Sequence, residues 1–149
     1  MRWKPNSTVA TIIEQNGKFL FVEEEDSGKF VYNQPAGHLD EGETLSDAAI
    51  RETLEETGHS CELTGYLGLF TFTAPSNNTT YHRHCFVGKS THYDPTLSLD
   101  DGIIGIKWLT QGELIASKKA RSPLVIKCIE HYLNQKIYPL EVIYEHNHD

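Results

Sequence analysis

Residues 37–59, GHLDEGETLSDAAIRETLEETGH, hold most of the information in this chain. Thr44 with Asp47 three positions on resembles a capping box, Ala48, Ala49, Ile50 and Leu54 supply apolar residues, and Gly58 suits the position just past a helix end. The spacing predicts a helix from Thr44 to Gly58, with Leu54 as a core residue. Each residue turns a helix by about 100°, so Glu52, Glu55 and Glu56 share one face. Most such clusters are solvated faces, and Asp47/Arg51 or Arg51/Glu55 would serve as i, i+4 ion pairs. Glu52 and Glu56, however, are like charges at i, i+4, a penalty of about 0.2–0.5 kcal/mol that a cation between them would remove. All the ligands on offer are hard oxygens, which suit Mg²⁺ or Mn²⁺ rather than zinc.

Upstream, Ser7 to Glu24 alternates apolar and polar residues around Asn16-Gly17, a strong hairpin signal, and Phe30 to Gln34 is a short extended segment before Pro35. Downstream, Cys61 to Thr73 and Thr80 to Lys89 are rich in aromatic and β-branched residues and form a second strand pair around the loop from Ala74 to Asn78. Ile103 to Leu109 reads as a strand and Thr110 to Ser117 as a short helix with a Thr110/Glu113 capping box. Ser122-Pro123 then opens a last helix reaching about Asn134. The tail beyond Tyr138 turns polar after Ile143, and from about residue 144 it is expected to fray. The pattern is α+β, with no internal repeat and no linker that would split it.

The chain has 149 residues, enough for one domain that buries roughly 68–70% of its unfolded surface. A formal net charge of −8 disfavours a nucleic-acid surface, so an anionic partner would have to be met through an added cation. No apolar run approaches the roughly 20 residues of a membrane helix. The N-terminus lacks an apolar signal stretch, and a cytoplasmic location is expected. Cys61, Cys85 and Cys128 are too scattered for a zinc site or a disulfide framework and read as buried thiols.

Taken together, Gly37, Glu43, Arg51-Glu52, Glu55-Glu56 and Gly58 at this spacing resemble the signature box of the Nudix hydrolases, with all seven fixed positions present. The aliphatic positions expected at 53 and 59 are instead Thr53 and His59. Asn33 to His38, Arg121 to Val125 and Tyr138 to Glu141 are similar to a bacterial phosphatase group of that family, and the likeness covers nearly the whole chain. The resemblance implies an α/β/α sandwich with a mixed central sheet. It also implies Mg²⁺ as cofactor, with Mn²⁺ able to substitute, and nucleoside tri- and diphosphates or the thiamine-precursor hydroxymethylpyrimidine diphosphate as substrates. It assigns Glu52, Glu55 and Glu56 as metal ligands, with the Gly37 carbonyl a further one. Arg51 would orient Glu52, and Glu43 would brace Arg51. The general base is either a box glutamate or an acid outside it, for which Asp100 and Asp101 are the candidates.

Tyr32, Phe70 and Phe72 either stack a ring of the substrate or fill the core. Gln34 and Arg83 are candidate substrate contacts. Pro75 stands where some ADP-ribose pyrophosphatases carry a marker proline, which makes ADP-ribose or a nucleoside diphosphate sugar the alternative substrate. His82 and His84 share one strand face without a clear ligand set, His146 and His148 lie in the tail, and Arg121 precedes a helix N-terminus. A nucleotide-sensing module without catalysis is a further alternative, which the complete set of box carboxylates disfavours. A monomer or a homodimer is expected.

Overall fold

The computed structural model describes residues 1–146. Strand β1 (Asn6–Gln15) turns at Asn16-Gly17, both in the left-handed region, into β2 (Lys18–Asp26). The two strands pair only next to the turn, Glu14 opposite Phe19 and Gln15 opposite Lys18, and then diverge. The simple alternating hairpin expected over Ser7 to Glu24 is therefore corrected. The reason lies in β1, where every residue from Thr8 to Ile13 is buried. A strand buried on both faces seeks partners along both edges. It takes β4 (Ala36–His38) antiparallel on one side and β6 (Thr80–Tyr93) parallel on the other, and β6 pairs with β5 (His59–Thr73). Meanwhile β2 joins β3 (Lys29–Asn33) and β7 (Ile103–Leu109), both antiparallel.

Helices cover both faces of this mixed sheet. Val9, Ile13, Leu20 and Phe86 pack with Ala48 and Ala49 of α1 (Leu45–Thr57), while Ala10, Ile12, Phe21 and Cys85 pack with Val125, Cys128 and Ile129 of α3 (Pro123–Leu133). The result is the expected α/β/α sandwich, and each fully buried Ile, Leu or Phe contributes about 1.5–3 kcal/mol. A third helix, α2 (Gln111–Ser117), is held by the reciprocal Thr110/Glu113 capping box and inserts Leu114 into the α3 side. The three cysteines are buried free thiols. None of the described helices is long and apolar enough to cross a membrane.

One expectation fails for a packing reason. Leu54 is 37% exposed and not a core residue, because α1 meets the sheet through Ala48, Ala49, Thr53 and Thr57, a narrow face that brings the helix close. The segment before 144 is held in place, and residues 147–149 of the tail lie outside the described residues. Tyr138 exchanges two backbone hydrogen bonds with Tyr66, each 2.8 Å, a single 3-10 turn follows at Leu140–Val142, and Leu140 and Ile143 pack against the α1-side core. Gly65 makes room for this tail, since a Cβ there would lie 2.6 Å from Ile137 Cγ2.

Candidate active site

Helix α1 begins where Thr44 Oγ1 accepts from the Asp47 amide at 3.1 Å and ends at Gly58, whose φ of 77° is the left-handed conformation glycine adopts without strain. Between these caps the helix presents Arg51, Glu52, Glu55 and Glu56. The Arg51 guanidinium is the hub. Its Nε and one terminal nitrogen bind the two Glu43 oxygens at 2.6 and 3.0 Å, and the other terminal nitrogen donates to Glu52 at 2.7 Å and to Glu55 at 2.9 Å. The His38 carbonyl, at 3.1 Å, completes the fork. Glu43 above all holds Arg51 protonated, and Arg51 in turn holds the Glu43 carboxyl below the usual carboxylate range. A planar five-donor fork does this where lysine could not.

Glu52 is 9% exposed and lies under the backbone of Gly37, where a Cβ would fall 2.1 Å from the Glu52 carboxyl carbon. Only glycine permits that approach. On the other side, the Asp100 amide donates to the Glu55 carbonyl at 3.2 Å and the Asp94 amide to the Gly58 carbonyl at 2.9 Å, which ties the loop before β7 onto the end of α1. This stitch brings a carboxylate oxygen of Asp100 together with those of Glu52 and Glu55, all within 4.8 Å of one another. Asp101 is not in that group. Burial raises the pKa of Glu52, and its charged neighbours Glu55 and Asp100 add to the rise against the pull of Arg51. Burial and the Glu55 charge likewise raise Asp100. Crowded, partly desolvated oxygens of this kind are what a hard divalent cation relieves, so the residues fit such an ion.

Glu56 stands apart from the trio. Its Oε1 accepts from the Ala36 amide at 2.9 Å, and burial pushes its carboxyl up to about 8, with Glu24, Glu52 and Asp100 adding repulsion. It lines a cleft of about 280 Å³ together with Gly37 and His38. The far wall carries Phe72 and Tyr81, directly opposite one another on β5 and β6. Arg83, Arg121 and Glu24 supply charge, with Arg121 donating to Glu24 Oε2 at 2.7 Å.

The sequence-level substrate contacts divide. Arg83 reaches the cleft, but its terminal nitrogens already bind Gln34 Oε1 at 2.7 Å and Asn33 Oδ1 at 2.8 Å. Gln34 is 1% exposed and its amide also donates to the Val125 carbonyl, so it is corrected to a brace for Arg83. Tyr32 does not line the cleft; its ring belongs to the α3-side core. Phe70 is also core, edge-on to His131, whereas Phe72 lines the cleft. Arg121 and Glu24 were the residues sequence reasoning undervalued, and no local pattern pairs positions 97 apart. His84 Nδ1 meets the Tyr66 hydroxyl at 3.0 Å, and neither His82 nor His84 enters a metal-competent group among the described residues. His146 meets the Tyr144 hydroxyl, and His148 lies outside the described residues. Pro75 sits in the turn between β5 and β6.

A family model described as the NUDIX domain matches residues 3–128. The Phosphatase NudJ of Escherichia coli strain K12 is 39% identical over 145 residues, covering 97% of this chain and 94% of that protein. A solved NUDIX hydrolase from Nitrosomonas europaea superposes with a TM-score of 0.94 at 44% identity, covering 98% of this chain and all of the other.

Proposed function

The chain belongs to the Nudix hydrolase family, and on that premise we propose that it is a Mg²⁺-dependent phosphatase or pyrophosphohydrolase of nucleoside tri- and diphosphates and of the thiamine-precursor hydroxymethylpyrimidine diphosphate, with residues 1–149 as one catalytic domain. The observation that carries the assignment is the convergence of Glu52, Glu55 and Asp100 beside a cleft that Glu56 also lines.

Glu52, Glu55 and Asp100 are the residues that would hold the ion, with Glu56 and the Gly37 carbonyl at its border. When bound, a divalent cation neutralises phosphate oxygens and lowers the barrier to attack by water at phosphorus. Arg51, clamped by Glu43, fixes the Glu52 carboxylate in its rotamer. Glu56 takes the proton of the attacking water: its Oε1 is oriented by the Ala36 amide, and the residue lines the cleft. Burial above all raises this carboxyl to about 8, and positive charge held beside it would favour the ionised form that accepts a proton. Phe72 and Tyr81 offer a ring-stacking wall for the organic group, and Arg121 a charged contact.

The test is a panel of nucleoside di- and triphosphates, ADP-ribose and hydroxymethylpyrimidine diphosphate, assayed for orthophosphate against pyrophosphate release with Mg²⁺, with Mn²⁺ and in chelator. Turnover of the nucleotides or the pyrimidine diphosphate that vanishes in chelator is expected. Preference for ADP-ribose would replace the substrate assignment, and full turnover in chelator would overturn the metal role.

A further inference from the structure

The catalytic helix is fastened at its N-terminus by a residue from the far end of the chain. The first-turn amides of an α-helix have no partner within the helix, and Thr44 can satisfy only some of them. Its Oγ1 accepts from Asp47 and its carbonyl from Ala48 at 3.0 Å, which leaves the amides of Leu45 and Ser46. Both donate to the Glu145 carboxylate, Leu45 to Oε1 and Ser46 to Oε2 at 3.4 Å, and the Ser46 hydroxyl donates to Oε2 at 3.2 Å. The anion also meets the positive end of the helix dipole. Nothing in the tail's own sequence calls for this contact. It exists because Tyr138 is paired to Tyr66, and Leu140 and Ile143 are packed in the α1-side core, which delivers Glu145 to the helix end.

From this we propose that Glu145 is a positioning residue for catalysis: by anchoring the first turn of α1 it holds Glu43 in place against Arg51, and through Arg51 it sets the Glu52 carboxylate. Glu43 lies one residue before the cap and is the main partner of Arg51. An unanchored first turn frays, Thr44 and Glu43 move with it, and Arg51 loses the clamp that aims it at Glu52. The inference rests on the reading of α1 as the catalytic helix.

Glu145→Gln and Glu145→Ala, each in the full chain, test it. Backbone amide exchange at Leu45 and Ser46 should accelerate at least tenfold in Glu145→Ala while exchange in β1 and β6 stays unchanged. Direct Mn²⁺ binding should weaken, and kcat should fall about tenfold with little change in KM at saturating metal, in the range typical for groups that support a metal ligand. Glu145→Gln, nearly isosteric and able to keep one acceptor, should fall between wild type and Glu145→Ala. If Glu145 acts through Glu43, Glu145→Ala combined with Glu43→Ala should be no worse than Glu43→Ala alone. Multiplicative losses in that pair, or wild-type kcat and metal binding in a folded Glu145→Ala protein, would overturn the proposal. Glu52→Gln in the same assay separates the two levels: if it retains full turnover, the catalytic reading of α1 fails, whereas if it is inactive and Glu145→Ala is not, only the positioning role fails.

Discussion

Glu56 carries two opposed demands at the scale of a single side chain: it is buried deeply enough to resist ionising, and it lines the cleft where the proposed reaction needs a base. Glu56→Gln keeps the shape and can still meet the Ala36 amide through its carbonyl oxygen, yet it cannot accept a proton. The rate should drop at least about 10²-fold, the usual scale for a general base. Single-turnover kinetics with saturating Mg²⁺ would measure it, and an undiminished rate would leave the nucleotide-sensing module as the better account. The two loop aspartates should separate in the same experiment. Asp100 shares its space with Glu52 and Glu55, so Asp100→Asn should cost activity and raise the Mg²⁺ requirement, while Asp101→Asn should do neither. Gly37→Ala is a third case. Its Cβ would displace the Glu52 carboxylate, so an inactive protein with a near-normal melting temperature is the expected result.

At the scale of an element, α1 is a wall of the core and also carries the proposed catalytic residues. Its core face is small, Ala48, Ala49, Thr53 and Thr57, and the Thr53 hydroxyl is satisfied by the Ala49 carbonyl at 2.8 Å. That explains why a threonine is tolerated where the family pattern expects an aliphatic residue. It also means that truncations separate cleanly. Arg51→Ala removes the hub between Glu43, Glu52 and Glu55 and should abolish most activity with a modest change in melting temperature. Phe86→Ala, deep in the core under the helix, should cost about 3–5 kcal/mol by chemical denaturation. If Arg51→Ala turned over normally, Arg51 would be only a surface ion-pair residue. The other unexpected box position, His59, is buried against Tyr93 at a 4.4 Å ring separation and bonded to Ser90 at 2.7 Å, and its Nε2 has no partner among the described residues.

For the whole molecule, these shifted titrations make stability depend on pH in two directions. Burial raises Glu56, Glu52 and Asp100, so the folded protein binds more protons than the unfolded chain between their ordinary values and their raised ones. Their contribution is fully present below about pH 4 and is lost as pH rises, for Glu56 through about 8. Burial lowers His59, which has the opposite sign: stability is present above its ordinary value near 6.5 and falls as acid forces a charge into the core. Without metal, the melting temperature should therefore decline from about pH 6.5 to 8.5. If Mg²⁺ binds the native state as proposed, saturating Mg²⁺ should flatten that decline by compensating the ionised carboxylates. Glu56→Gln should flatten it without metal. A metal-free profile that rises over this range would contradict the carboxylate assignments.

What the sequence alone determined is whatever depends on local spacing. The caps at Thr44 and Gly58 and the shared face of Glu52, Glu55 and Glu56 follow from helix periodicity, while the match of Arg51 to Glu43 is what the family resemblance of 23 consecutive residues implied. Helix and strand positions elsewhere were legible for the same reason, since capping residues, turn pairs and β-branched runs act on near neighbours. The tertiary structure decided everything that joins distant positions. It split β1 from β2 because β1 is buried on both faces, and it turned Leu54 outward because the helix approaches through alanine and threonine. It withdrew Tyr32 and Gln34 into the core, placed Asp100 rather than Asp101 beside Glu52 and Glu55, with a backbone hydrogen bond from Asp100 to Glu55, and brought Glu145 back to the start of α1. Contacts of that kind leave no periodic trace in the sequence, because the residues that make them are selected by the packing of the elements between them.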